Sequence, residues 1–417
     1  MRTFVCIWMG QLVSTIGNHL TDFALVLWAW QLTGSATALA LIGFFYELPQ
    51  IPISLLSGLL VDWANRKHLM ILGDAIAALC TLAIALFYLT DTLQIGHIYV
   101  AAAINGGFGQ IQRLAYKTSI SSIVVPAQYT RANSMNVAVH YGSAIVAPAL
   151  AGVLYPWVGL LGILSVDLVT FGCAIATLLF VHIPQPPPAP KTDSVIRQLT
   201  FGLRHIWTRR DLRSLLFVTA LFWFFHDLGD AIYDPMILAR TNGDASILAS
   251  TATAAGIGGV TGAVFLSAWG GPKQRIHGML IGFVGAGLSK TVFGLGQSPL
   301  VWLPTQFCSS FNFPLLGSSE TAIWMEATAP ELQGRVFAAN EFVIQLVSAL
   351  AALLAGPLAG NLFEPMMASP AMLTHPLGYI FGTGAGAGSA MLYVLCAIAM
   401  LCVGIASRRS IWVHQSL

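Results

Sequence analysis

The sequence predicts an all-α integral membrane fold, with twelve spanning helices arranged as two repeated six-helix halves. Three observations carry this. Hydrophobic residues make up 56% of the 417-residue chain and charged residues only 9%, at a mean hydropathy of +0.75. Apolar stretches of about 20 residues, the length that crosses a bilayer, recur from one end to the other. Several features of the first half return in the second at one offset, 204 residues.

The composition excludes most other classes. Soluble domains carry about a quarter charged residues, so these charges are too few to cover a globule of this size with a solvated surface. The net charge is +2 and no basic run is interleaved with aromatics, so nucleic acid is not an expected partner. Cys6, Cys80, Cys173, Cys308, Cys396 and Cys402 are scattered singly in apolar stretches, without metal-site or disulfide spacing. Gly256–Gly262 and Gly382–Gly388 are glycine-rich, but neither follows a strand, and small residues of this kind let membrane helices approach closely. No P-loop is present, so a gradient must drive any transport. No enzyme, cofactor or metal is expected.

The expected spans are 5–30, 37–61, 68–90, 97–121, 133–155, 158–182, 213–238, 247–270, 277–297, 299–325, 336–362 and 386–406. The first follows Met1-Arg2-Thr3 without a cleavage site and reads as a retained helix rather than a signal peptide. Orientation follows from the bases, which accumulate on the cytoplasmic side. With both termini inside, 16 of the 19 Lys and Arg residues fall in inner loops or at inner helix ends, leaving Arg240 outside and Arg113 and Lys290 within spans. The chain is thus expected in the plasma (inner) membrane, multi-pass, with lipid as its surroundings.

Residues 1–182 form the first half and 213–417 the second. The linker, 183–212, opens Pro-Gln-Pro-Pro-Pro-Ala-Pro, a semi-rigid spacer. Val195, Ile196, Leu199, Leu203, Ile206 and Trp207 then recur at helical spacing, with Arg197, Arg204 and His205 off that face, which predicts a basic amphipathic helix in the membrane interface. The repeat shows in Pro126–Arg131 and Pro330–Arg335, in Asn136 and Asn340, and in Gly58 and Gly262. Ala147-Pro148-Ala-Leu-Ala-Gly152 has a counterpart in Gly356-Pro357-Leu-Ala-Gly360, shifted slightly further.

Between spans two and three lies Gly58-Leu-Leu-Val-Asp62-Trp-Ala-Asn-Arg66-Lys67, of the form G-x3-D-x3-R-K. With twelve spans and a central linker, this loop resembles the signature of the major facilitator superfamily. Gly17-Asn-His-Leu-Thr-Asp-Phe-Ala24, Trp28–Ala36, Glu47-Leu-Pro49 and the Pro-x4-Arg entries to spans five and eleven are similar to the macrolide-efflux and enterobactin-exporter subgroup. Two departures stand out. Leu266 occupies the second-half position of Asp62, and the helix-five motif is loose, with Ala147-Pro148 flanked by Gly142 and Gly152. The resemblance implies secondary active, proton-coupled efflux of a small amphipathic organic compound by alternating access, from a monomer. Proton-coupled uptake is the alternative, and a non-transporting sensor or assembly partner is the alternative of another class.

Ionisable groups inside spans are costly and mark function. By the resemblance, spans one, four, seven and ten line the central cavity, and the polar residues concentrate there: Asn18, His19 and Asp22; Arg113; His226, Asp227 and Asp230; Asn312 and Glu320. His226, Asp227 and Asp230 share adjacent faces of one helix. Asp227 lies roughly 21 Å from the cytoplasmic end at the helical rise, near mid-membrane or beyond. Asp22, Asp227, Asp230 and His226 are the proton-coupling candidates, Asp227 first among them; the competing reading is a tether between helices seven and one. Substrate-cavity candidates are Asn18, His19, Arg113, Asn312, Glu320, Trp223 and Phe311. Arg113 and Glu320 pair either with each other or each within its own half. Lys290 is expected to snorkel to the outer interface. The resemblance makes Gly58, Asp62, Arg66, Lys67, Asp74, Arg131 and Arg335 a conformational gate, with Arg66 pairing acids such as Asp74 and helix-end carbonyls.

Overall fold

A computed structural model describes residues 2–54, 64–124, 129–184, 195–329, 332–369 and 376–415. Among them the chain is helical throughout: α1 Arg2–Thr33, α2 Ala36–Glu47, α3 Arg66–Leu89, α4 Ile95–Ile123, α5 Tyr129–Phe180, α6 Val195–Thr208, α7 Arg210–Ala231, α8 Tyr233–Arg240, α9 Ala245–Trp269, α10 Arg275–Leu295, α11 Pro299–Ala327, α12 Gln333–Pro357, α13 Glu364–Met367, α14 Pro376–Phe381 and α15 Ala387–Gln415. Backbone groups in hydrocarbon have no water to bond, and a helix satisfies them internally.

Eight described stretches are long and apolar enough to cross a membrane: Ala36–Ser54, Arg66–Leu89, Ile145–Phe180, Arg210–Arg240, Ala245–Trp269, Arg275–Leu295, Arg335–Met367 and Ala387–Ser407. Three further helices, α1, α4 and α11, are 29 residues or longer but too polar to meet that test. These are spans one, four and ten, three of the spans on which the polar candidates concentrate. Spans five and six form one continuous helical run, α5. Its 52 residues would extend about 78 Å if straight, far beyond a hydrocarbon core of about 30 Å. The break is at Gly159, whose φ of 62° and ψ of −169° is open only to glycine.

Two compact units divide the chain. The first comprises Met1–Ala29 and Ile42–Val195, the second Trp30–Leu41 and Ile196–Leu417. In the first, Leu20 and Ala24 of α1 pack with Cys80 and Ile84 of α3, Ile98 and Ala101 of α4, and Ala147, Ala151 and Leu160 of α5. Ala147 and Ala151, next in sequence to Pro148 and Gly152 of the helix-five motif, belong to this contact, while Gly142 has open space beside it. In the second unit, α11 is packed between α9 and α10, and α7 between α12 and α15. Gly258 and Gly262 sit against the backbone carbonyls of Phe307 and Phe311, with no room for a Cβ atom. The glycine run is therefore helix packing.

Part of the apolar face of the linker helix packs on protein, while Trp207 on the same face is 66% exposed. Ile206 on its apolar face is fully buried among Leu212, Trp324, Val336 and Ala339, and Leu203 packs beside it. Leu203 and Ile206 thus meet an apolar surface made by α11 and α12. Gly202 lies against the carbonyl of Arg335, and the Arg335 guanidinium stands 5.0 Å over the Phe201 ring.

Candidate functional site

In the first unit, polar side chains form separate clusters. Asp167 on α5, 1% exposed, accepts from Thr21 Oγ1 at 2.9 Å and Thr81 Oγ1 at 3.2 Å, so one carboxylate joins α1, α3 and α5. Asp74 on α3, 5% exposed, accepts from Gln11 at 3.3 Å and Gln112 at 3.2 Å, and Gln112 also donates to Gln11 at 2.7 Å. Arg113 donates to Gln50 at 2.6 Å, Gln110 at 2.7 Å and Tyr46 at 3.0 Å. Arg113 thus finds its partners within its own half. His19 Nδ1 lies 3.9 Å from Asp22, and both side chains, like the neighbouring Asn18, retain exposed surface.

Of the gate set, Gly58, Asp62 and the Arg131 side chain lie outside the described residues. The residues that follow pin three helix ends. Asn65 caps α3 by accepting from the N–H of Lys67 at 3.0 Å. Arg66 donates to the Thr118 carbonyl at 2.8 Å and Ser122 Oγ at 3.1 Å, near the end of α4. Lys67 Nζ donates to the carbonyls of Leu179 at 3.0 Å and Val181 at 2.8 Å, at the end of α5. Helix C-termini leave carbonyls unpaired and carry partial negative charge, so cations settle there. Asp74 is not the partner of Arg66. It lies eight residues along α3, about 12 Å at the helical rise, and is held by the two glutamines instead.

In the second unit, His226 Nδ1 and Asp227 Oδ1 are 2.9 Å apart, and the Ser348 hydroxyl of α12 donates to the other Asp227 oxygen. Lys290 corrects the snorkelling expectation. It is 4% exposed, with Nζ 3.9 Å from the Asp230 carboxylate and 5.4 Å over the Tyr393 ring. Asp230 sits one turn from Asp227 and draws the ammonium inward, where the aromatic face adds a second attraction.

A cavity of about 470 Å³ opens in this unit. It is lined by Trp223 and Asp227 of α7, by Gly317, Glu320, Thr321 and Trp324 of α11, and by Phe337, Asn340, Glu341, Ile344 and Ser348 of α12. The spacing on α11 and α12 is i, i+3 or i+4, i+7, the single face of a helix. Glu320, 9% exposed, accepts from Trp223 Nε1 at 3.4 Å, so its partner also lies in its own half. Among the sequence candidates, the cavity takes Asp227, Glu320 and Trp223. Phe311 packs instead against Phe265 and Phe307, and Asn312 donates to its own helix at Cys308 O, 2.7 Å away.

Asp167, Glu341 and Ser348 were missed by reading for charge on spans one, four, seven and ten. The available signal was an acid at the centre of span six, and the polar face of span eleven at Asn340, Glu341 and Ser348.

Comparison with known proteins agrees with this architecture. Macrolide efflux protein A of Streptococcus pyogenes is 25% identical over 366 residues, covering 86% of this chain and 90% of that protein. The multidrug efflux pump Tap of Mycolicibacterium fortuitum is 25% identical over 360 residues, covering 84% and 87%. Among solved structures, the POT family transporter PepTSo superposes with a TM-score of 0.73 at 12% identity over 99% of both chains. A bacterial homologue of the iron transporter ferroportin, in an inward-facing state, gives 0.72 at 14% identity over 98% of both. The sequence profile of the Major Facilitator Superfamily matches residues 7–352. With its polar helices set among apolar ones and its buried carboxylates held by neighbouring spans, the chain belongs to that superfamily of membrane transporters and is not an enzyme.

Proposed function

We propose that this protein is a proton-coupled exporter of a small amphipathic organic compound, working by alternating access of its two halves, residues 1–182 and 213–417, joined by the linker 183–212. It acts as a monomer in the plasma membrane, with both termini in the cytoplasm. The observation that carries the reading is the cavity in which Asp227 and Glu320 stand beside Trp223 and Trp324. Carboxylates in a low-dielectric site bind and release protons, and indole faces bind apolar substrate. Asp227 is the favoured proton carrier, because His226 and Ser348 are placed to exchange hydrogen bonds with it as its charge changes. Two relatives named as efflux proteins support the export direction. Arg66, Lys67 and Arg335 serve as the cytoplasmic gate.

The test is transport by the purified protein in proteoliposomes under an imposed pH gradient. Export predicts uphill movement of a macrolide or dye against the direction of proton flow. Movement in the same direction as protons would establish uptake instead, and no dependence on the gradient would remove proton coupling.

A further inference from the structure

Two buried carboxylates of the first unit are held by different chemistry. Asp74 accepts from the side-chain amides of Gln11 and Gln112, one on each oxygen. An amide nitrogen only donates, so these partners suit a fixed carboxylate. Asp167 is ringed by hydroxyls instead. Thr21 of α1 and Thr81 of α3 both donate to its Oδ2, at 2.9 and 3.2 Å. Thr170 Oγ1, which donates to the Asp167 main-chain carbonyl at 2.8 Å, stands 3.4 Å from Oδ1. All four residues are buried.

A hydroxyl both donates and accepts. It gives a hydrogen bond to a carboxylate. After its rotor turns, it takes one from a carboxylic acid and points its own hydrogen at the carbonyl one turn back on its helix. Thr21 and Thr81 therefore satisfy Asp167 in either charge state by side-chain rotation alone. The bonds that join α1, α3 and α5 change as the charge changes, and no buried group is left unmet.

Space and charge select the ligand. A Cβ atom at Gly17 would meet Thr170 Oγ1 and Asp167 Oδ1, and the hydroxyls touch the carboxyl directly. These contacts leave no room among them for a metal ion with its shell of oxygens. No lysine, arginine or histidine pairs with Asp167 among the described residues. Burying an unpaired carboxylate is costly, and a bound proton removes the cost. The ionisable neighbours on α1 are His19 and Asp22, the latter near enough for its charge to act on Asp167. On α3 the neighbour is the Cys80 thiol beside Thr81, and α4 and α5 bring no further charge to bear on it among the described residues. Asp22, its side chain 74% exposed, follows Thr21 in the chain and so leads from the buried acid to water.

We propose that Asp167 is a reversible proton-binding site in the first half of the protein, separate from Asp227, with Thr21 and Thr81 as the hydroxyls that adapt to its charge and Asp22 as its link to solvent. The proposal deepens the proton-coupled reading and rests on it for the proton's part in transport, but proton binding is measurable without substrate or gradient.

The experiment is infrared difference spectroscopy of the full-length protein in lipid, stepped from neutral to acid pH, reading the carbonyl stretch of protonated carboxyls. The wild type is expected to show a titrating component that is lost in Asp167→Asn. The variant Thr21→Val/Thr81→Val keeps the carboxyl and removes its hydroxyls, so the component is expected to remain but move to higher frequency. Absence of any titrating carboxyl in the wild type overturns the proposal, with no variant needed. So does the full wild-type signal in folded Asp167→Asn, or an unmoved component in the folded threonine variant. Proteoliposome transport by the same preparations separates the two readings. A titrating Asp167 in protein whose transport ignores the pH gradient keeps the site and removes proton coupling. Gradient-driven transport with no Asp167 component does the reverse.

Discussion

Lys290 and Asp230 meet inside the second unit, ammonium to carboxylate at 3.9 Å, with the lysine buried and the aspartate 64% exposed. Removing the lysine leaves its partner without a cation. Breaking a fully buried pair costs about 3–5 kcal/mol, and the exposure of Asp230 reduces that to about 1–2 kcal/mol by solvent screening. Lys290→Met is therefore expected to lower the thermal midpoint of the purified protein. The double variant Lys290→Met/Asp230→Asn is expected to recover most of the loss. A double variant no better than the single one would show that the pair contributes nothing.

Asp227 is bonded on both oxygens, by His226 and Ser348. If it carries the proton, Asp227→Asn abolishes pH-driven transport while counterflow, which needs no net proton movement, persists. Both activities are read in the same vesicles. Retained uphill transport would move the proton to another acid.

Arg66 and Lys67 hold the carbonyl ends of α4 and α5. Cations at such ends contribute typically 0.3–1 kcal/mol, more when partly buried. Arg66→Ala is expected to cost about 1–2 kcal/mol because its guanidinium is buried, and Lys67→Ala less. Ligand affinity at equilibrium should change little, since neither base lines the second-unit cavity. Thermal melts, and equilibrium binding of whichever compound the proteoliposome assay shows to be transported, check both statements.

Gly202 fixes how closely the linker helix lies on α12. A Cβ atom there would meet the Arg335 carbonyl. Gly202→Leu is expected to lift α6 and expose Arg204 to trypsin, with an overpacking cost of about 1–3 kcal/mol. Cleavage as slow as in the wild type would show that the contact is loose.

Outside the spans, Asp244 caps α9. Its carboxylate accepts from the Ser246 hydroxyl at 2.6 Å and from the backbone N–H of Ser246 at 2.8 Å and of Ile247 at 3.3 Å, which together hold its pKa below the ordinary value. The folded pKa is depressed, so the stabilisation is full above the unfolded value of about 3.9 and is lost as pH falls through the folded value. Asp244→Asn should keep the cap and lose the acid dependence, whereas Asp244→Ala should cost about 1 kcal/mol at neutral pH. Melting curves across acidic pH test both.

Much of the fold could be read from the chain because bilayer physics leaves few choices. Apolar length fixes where helices run, and the four spans expected to line the cavity include the three too polar to pass a hydropathy test. Asp227, Glu320 and Trp223 were legible for the same reason, as costly groups on those spans. Glu341 and Ser348 were not, because span eleven is apolar on its other faces and only its packing reveals which side matters. Lys290 was misread because periodicity does not say which aspartate faces a lysine. The exchange of Asp74 from Arg66 to two glutamines is equally a matter of register between helices, which spacing along one helix cannot supply.

The single residue at Gly159 has a consequence for biosynthesis. Two spans meet there with no loop between them, and Trp157, 87% exposed, stands at the turn. No linker separates the end of one from the start of the next. The two are expected to partition into lipid together as one helical pair, which crosslinking of arrested nascent chains of increasing length would check. The order of assembly of the first six helices is thereby constrained by one torsion angle rather than by the hydrophobicity of either segment.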